Sequence, residues 1–249
     1  MFLKSVALLS AFAITLGSAQ AAFIYGLSTG LDKGIFKINT ATGASRLVHE
    51  ITHGGATNNN DVNAFAYDGT AGNFFYNAGG KLYKVNASGE SLVGTLAKSA
   101  ASGTFYNGSY YYVENNSKNV RKVNVGTFSD TLFSTPTGLV NAGYGDIASS
   151  ATGAFYGATG TGFYEGSLAN ASSGVSYKAT NPGSLQLGFY GSTLYGINTS
   201  TDRIYALNTA TGAATLTATL TNASRLYITD AASAEAVPEP ASLAALGLG

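Results

Sequence analysis

Arg225-Leu226-Tyr227-Ile228-Thr229-Asp230-Ala231 reads as a β-strand without partners of its own. It follows the last complete group of strands in the chain, and nothing after it can pair with it. The first group has the complementary defect. Five groups share one layout, and each contains an aromatic strand: Phe23 to Gly26, Phe74 to Asn77, Tyr110 to Val113, Ala154 to Gly157, and Thr193 to Gly196. A second strand follows each after a Gly/Asn/Ser/Thr turn, as in Gly34 to Asn39 and Lys81 to Asn86, and then a third, as in Arg46 to Val48 and Ser91 to Leu96. Groups two to five also carry a strand before the aromatic one: Val62 to Tyr67, Gly103 to Asn107, Gly145 to Ser149, and Ser184 to Tyr190. The first group has none. If the segment from Arg225 to Ala231 supplies it, the two ends of the chain meet in one sheet and the sheet edges at that seam are paired.

The period supports this reading. Tyr25, Tyr76, Tyr112, Tyr156 and Tyr195 recur at intervals of 51, 36, 44 and 39 residues. Intervals near 40 suit a four-stranded propeller blade. The body resembles a β-propeller of the Trp-Asp or Tyr-Val-Thr-Asn repeat kind, without either signature. The expected fold is all-β, with five blades and the C-terminal strand closing the first. A sixth blade would have to hide in the 51-residue interval, and a β-sandwich or solenoid is the structural alternative. An Asn ends the second strand in four of the five groups, a position read as a tolerated left-handed turn residue.

Composition narrows the function. The chain has no cysteine, which excludes disulfides, thiolate metal sites and a Cys nucleophile. Charged residues are 10%, and 13 Lys and Arg balance 13 Asp and Glu. A nucleic-acid partner requires a clustered basic surface, so none is expected. Apolar content of 45% argues against disorder.

The ends of the chain read as addresses. Lys4, the apolar run from Ser5 to Leu16, and the small residues Ala19 and Ala21 around Gln20 have the form of a signal peptide cleaved after Ala21. At the other end, Val237-Pro238-Glu239-Pro240-Ala241-Ser242 leads into an apolar segment ending at Gly249. This resembles the PEP-CTERM sorting signal of Gram-negative bacteria, with Pro238, Glu239 and Pro240 as its tripeptide. Nine residues follow Pro240, fewer than the roughly 20 of a membrane span, and no arginine is among them, so the signal is read as truncated. The resemblance implies export, recognition by an exosortase-type membrane protease, and a place at the cell surface or in the extracellular matrix, in association with exopolysaccharide. The expected organisation is 1–21 signal peptide, 22–232 propeller, and 233–249 linker and sorting signal.

The sharpest catalytic motif is His49-Glu50-Ile51-Thr52-His53, which has the H-E-x-x-H form of zinc metallopeptidases. That chemistry needs both His on one helical face. Four residues along a strand span about 13 Å, too far for one zinc. Here the motif continues a third strand and is flanked by Gly43 and by Gly54-Gly55, so it is read as a strand end and loop. The oxygen-rich run Asn58-Asn59-Asn60-Asp61-Val62-Asn63 is read as a solvated inter-blade loop rather than a Ca²⁺ site. Asp146 and Asp230 lie near innermost strands and are placed to meet in a central channel, where a polar, water-filled lining is the simpler account. Glu114 and Glu165 are the glutamates placed on repeat strands, a thin basis for glycoside hydrolysis. The 16 tyrosines mostly recur at fixed repeat positions, which marks inter-blade packing before sugar stacking.

The sequence therefore favours an exported, monomeric, non-enzymatic protein without cofactor or metal, binding exopolysaccharide or a surface protein. The alternative is a secreted propeller enzyme acting on glycans or, more remotely, a zinc peptidase using His49, Glu50 and His53.

Overall fold

A computed structural model describes residues 21–53, 62–139, 145–160, 162–178 and 182–234. Ala19, Pro238, Glu239, Pro240 and the run from Asn58 to Asp61 lie outside them. Ala21 is exposed and precedes the first strand.

Twenty strands form five antiparallel sheets of four. The first blade holds β1 (Phe23–Thr29), β2 (Lys33–Asn39) and β3 (Ser45–His49). The second holds β4 (Val62–Asp68), β5 (Asn73–Ala78), β6 (Lys81–Asn86) and β7 (Gly89–Thr95). The third holds β8 (Ala100–Tyr106), β9 (Ser109–Glu114), β10 (Val120–Asn124) and β11 (Ser129–Ser134). The fourth holds β12 (Asp146–Ser149), β13 (Ala154–Thr159), β14 (Gly162–Ser167) and β15 (Ser176–Tyr177). The fifth holds β16 (Gln186–Tyr190), β17 (Thr193–Asn198), β18 (Arg203–Leu207) and β19 (Ala214–Thr219). The last strand, β20 (Ile228–Ala232), completes the first sheet in the order β20-β1-β2-β3.

The protein is a five-bladed β-propeller closed by its C-terminal strand. Tyr25 pairs with Ala232, Gly26 with Ala231 and Leu27 with Asp230. The innermost strands touch in the cyclic order β20, β4, β8, β12, β16 and back to β20. Among the described residues the long first interval adds no strand between β3 and β4.

Each apolar cluster lies between two neighbouring blades, so both faces of most blades are buried. Leu27 and Ile35 of blade one meet Phe65, Phe74 and Tyr76 of blade two. Ile24, Ile38 and Ile228 meet Ile197 and Ile204 of blade five, which is the closing seam. Both-sided burial explains why Phe74, Phe75 and Tyr76 are consecutive and all buried. Tyr110, Tyr111 and Tyr112 are likewise all buried: the outer two face blade two and Tyr111 faces blade four. The outermost strands are the exception. Each exposes one large apolar residue at the same register: Leu47, Leu92, Leu132, Tyr177 and Leu216.

The turns correct one expectation. The Asn that ends the second strand is not in the left-handed region at Asn39, Asn86, Asn124 or Asn208. Its carboxamide caps the turn instead. Asn39 Oδ1 accepts the N–H groups of Ala41 at 2.9 Å and Thr42 at 3.0 Å, and Asn208 does the same for Ala210 and Thr211 at 2.9 and 3.1 Å. Positive φ falls later, on Gly43 (72°) and Gly212 (74°). Gly43 is also fixed by space, because a Cβ there would lie 1.8 Å from the Thr219 carbonyl oxygen of blade five.

Ile228 is buried at the closing seam, with its methyl groups over Gly26. Ile228→Ala is expected to lower the unfolding free energy by about 2–5 kcal/mol, read as a lower urea midpoint at an unchanged slope. A chain ending at Asn222, which lacks β20, is expected to lose the cooperative transition altogether.

Candidate functional site

Polar contacts tie the inner ring at all five seams, among them at least one side-chain bond at each. Asp230 Oδ2 accepts the Phe65 N–H at 2.8 Å between blades one and two. The Tyr110 hydroxyl donates to the Ala64 carbonyl at 2.5 Å between two and three. Thr104 Oγ1 accepts the Ser149 N–H at 3.1 Å between three and four. Asp146 Oδ2 accepts the Leu187 N–H between four and five. Ser233 Oγ accepts the Phe189 N–H at 3.0 Å between five and one. Each satisfies a backbone or side-chain group that sealing the ring would otherwise strand.

At one end the ring opens into a cavity of about 880 Å³, the mouth of the channel. The hairpins joining the first and second strands of blades two to five surround it, together with Ser233 and Ala234. The hairpin of blade three turns on Asn107 and Gly108, both at positive φ (45° and 72°) and both exposed. This presents Phe105 and Tyr106 at the lip, partly exposed. Phe105 is braced from behind by Phe75, with ring centroids 5.3 Å apart and planes 7° apart. Tyr106 lies over Gly153, where a Cβ would come within 2.6 Å of the ring. Tyr67 stands across the mouth, in contact with Tyr25 and Phe74. Asp68 is the single charged residue in the lining, and its Oδ1 caps the N–H groups of Thr70 and Ala71. Aromatic faces, amides and hydroxyls without a cation suit an uncharged polar ligand and hold no nucleophile–base pair.

Ser233 and Ala234, placed by the sequence in a linker, are built into this lip. The Ala234 N–H donates to the Phe189 carbonyl at 2.6 Å, and Ala234 bridges Tyr190 in parallel. The chain therefore continues toward Glu235 from the mouth itself.

Deeper in the channel, Asp146 and Asp230 do meet. Both are buried, at 4% and 1% exposure, and each lies within electrostatic reach of the other.

The H-E-x-x-H segment is not helical. His49 ends β3 and residues 50–53 follow without regular structure. His49 packs its ring 5.8 Å from Phe74. His53 instead stacks on Tyr83 at 4.3 Å and bonds through Nδ1 to Glu90 Oε1. Glu90 also accepts from the Tyr76 hydroxyl at 2.5 Å, the Thr52 N–H at 2.9 Å and Thr52 Oγ1 at 3.1 Å. This cluster clasps the end of blade one to blade two. Burial works against the Glu90 carboxylate, but donors from Tyr76, Thr52 and His53 outweigh it and hold its pKa below the ordinary value. Glu90 escaped the sequence reading because β7 begins two residues before the strand expected from Ser91. Glu114 and Glu165 do not form a pair. Glu114 is held by Arg121 at 3.1 Å and Glu165 by Lys178 at 2.7 Å. Among the described residues, no group of three or more His, Asp or Glu side chains gathers to hold a metal.

The sequence matches no protein-family model and no curated protein. Solved structures share the architecture. A structural genomics protein of unknown function from Bacteroides thetaiotaomicron superposes with a TM-score of 0.55 at 14% identity, over 81% of this chain and 59% of its own. A chain of a nidogen/laminin complex gives 0.54 at 11% identity, over 85% and 97%. An auxiliary nutrient binding protein from Bacteroides thetaiotaomicron gives 0.53 at 10% identity, over 79% and 56%. The likeness is one of fold. The chain spans less than two thirds of both Bacteroides proteins.

Glu90→Ala leaves the Tyr76 hydroxyl, itself buried, without its short acceptor. The change is expected to cost about 1–3 kcal/mol in urea unfolding. Because the Glu90 pKa is depressed, the difference should be present in full above the ordinary glutamate range and shrink as pH falls through the depressed value.

Proposed function

We propose that this is an exported, non-enzymatic protein of a bacterial cell surface or matrix, and that the channel mouth binds an uncharged segment of exopolysaccharide. Delivery would begin with removal of the leader after Ala21 and end with an exosortase-type protease acting at the signal around Pro238, Glu239 and Pro240. The observation that carries the binding reading is the mouth: about 880 Å³, edged by Tyr67, Phe105 and Tyr106, with Asp68 as its one charge. Flat aromatic rings beside amide and hydroxyl groups favour a ligand that is apolar on its faces and polar at its edges, which describes a sugar ring. The lack of a cation in the lining disfavours a polyanion, and Asp68 alone does not supply an acid–base pair for hydrolysis. The protein is read as a monomer with neither cofactor nor metal.

The test is a co-sedimentation assay of the purified protein with neutral and anionic polysaccharide fractions of the producing bacterium's matrix. Tyr106→Ala and Tyr67→Ala are each expected to weaken binding of the neutral fraction by about tenfold, about 1.4 kcal/mol, with Leu92→Ala on the outer strand unchanged. Binding confined to the anionic fraction, or insensitive to both tyrosines, would sink the reading. Steady release of reducing ends would replace it with a glycan-cleaving enzyme.

A further inference from the structure

We propose that the centre of the ring is a proton-binding site, in which one proton shared by Asp146 and Asp230 ties blade four to blade one across the channel. The proposal does not depend on what the mouth binds.

The argument begins with topology. β12 and β20 are not neighbours in the ring, yet they approach each other across its centre. Each presents one Asp there. The oxygens of both are already used as acceptors. Asp146 takes the N–H groups of Ile147 and Leu187, and Asp230 takes those of Ala231 and Phe65. The two buried carboxyls stand on strands that meet across the centre, and each acts on the other. A carboxylate only accepts, so a bond between two carboxyls requires that one of them carry a proton. Without it, two like charges would face each other in a site both side chains share with no solvent.

Among the described residues, no basic side chain stands on the strands around them. The innermost strands and the strands next to them at this point, β1, β4, β8, β12, β13, β16 and β20, contain no Lys, Arg or His. Their titratable side chains are engaged elsewhere. Tyr25 and Tyr67 face each other, Asp68 caps its own turn, Tyr106 lies on Gly153, Tyr156 bonds to Glu165, and Tyr190 packs on Phe23. From β9, Tyr110 does face the pair, but its hydroxyl is spent on the Ala64 carbonyl.

Burial, the larger cause, and the neighbouring carboxyl both push Asp146 well above the ordinary carboxylate range. Burial pushes Asp230 up from the ordinary 3.8 to about 7. The direction fixes the linkage. Between those values the folded protein keeps a proton that the unfolded chain releases, so stability falls as pH rises. The contribution is complete below the ordinary carboxylate value and is lost as pH rises through the raised one.

The test is thermal unfolding of the full chain from about pH 4 to about pH 8, for the parent and for Asp146→Asn. The Asn amide can donate to Asp230 without a proton while its oxygen accepts the Leu187 N–H, at the loss of the bond from the adjacent Ile147 N–H. The parent Tm is expected to fall with rising pH more steeply than that of Asp146→Asn, and the variant should be the more stable at the alkaline end. Taking the difference removes the titration of Glu90 and of every other group the two proteins share. An infrared carbonyl band of a protonated carboxylic acid near neutral pH should be present in the parent, and this holds whether or not the variant folds. Parallel pH profiles, or no such band, would overturn the proposal. So would a rise in the parent's Tm at alkaline pH on adding Ca²⁺ that Asp146→Asn does not show, because a metal ion would then fill the proton's place.

Discussion

The ladder between β1 and β20 is the constraint on which everything else rests. A ring of sheets has no internal reason to close; each blade is satisfied by its two neighbours, and the first and last blades are each short of one. Here β20 follows blade five, crosses the gap and becomes part of the first sheet, so main-chain hydrogen bonds complete blade one while side chains pack it against blade five at the seam. The isoleucines 24, 38, 197, 204 and 228 that fill this seam are placed by that pairing and not by local sequence. Without a disulfide anywhere in the chain, the closure is entirely non-covalent.

The inner ring shows how such a closure is kept in register. Apolar packing between blades is directional only through shape, whereas the polar contacts at the five seams each name a particular donor and acceptor. Two of the seams use a carboxyl, and those two carboxyls also face each other. The centre is therefore more than a by-product of geometry. It is a set of bonds that can be satisfied together only when all five blades are in place, which makes the assembly cooperative.

Much of this was legible in the amino-acid order, and for identifiable reasons. The aromatic strand repeats because both faces of a blade are buried, and the orphan strand from Arg225 to Ala231 can be matched to the one group that lacks a partner. What escaped depends on distances the sequence does not contain. The letters of the segment from His49 to His53 spell a zinc motif, but only the backbone shows that His53 turns away to Glu90. Glu90 was passed over because the strand was read from Ser91, whereas the pairing runs on through Glu90 and Gly89 to the turn. The turn asparagines were recognised for the wrong property: their side chains cap the turn while a later residue takes the left-handed angle. Asp146 and Asp230 were both placed near the channel, but whether they touch is decided by the ring's diameter. The mouth was not foreseen at all, since its lining comes from four hairpins and the chain end.

Closure by the final strand also sets an order of events. The edge of β1 is made first and completed last, by residues about two hundred positions downstream. A contact so remote in sequence is slow to form, and until it does the first blade displays an unpaired apolar edge. During synthesis, this polypeptide cannot complete its first blade until β20 has emerged. The ring is thus locked by one of the last strands to be made.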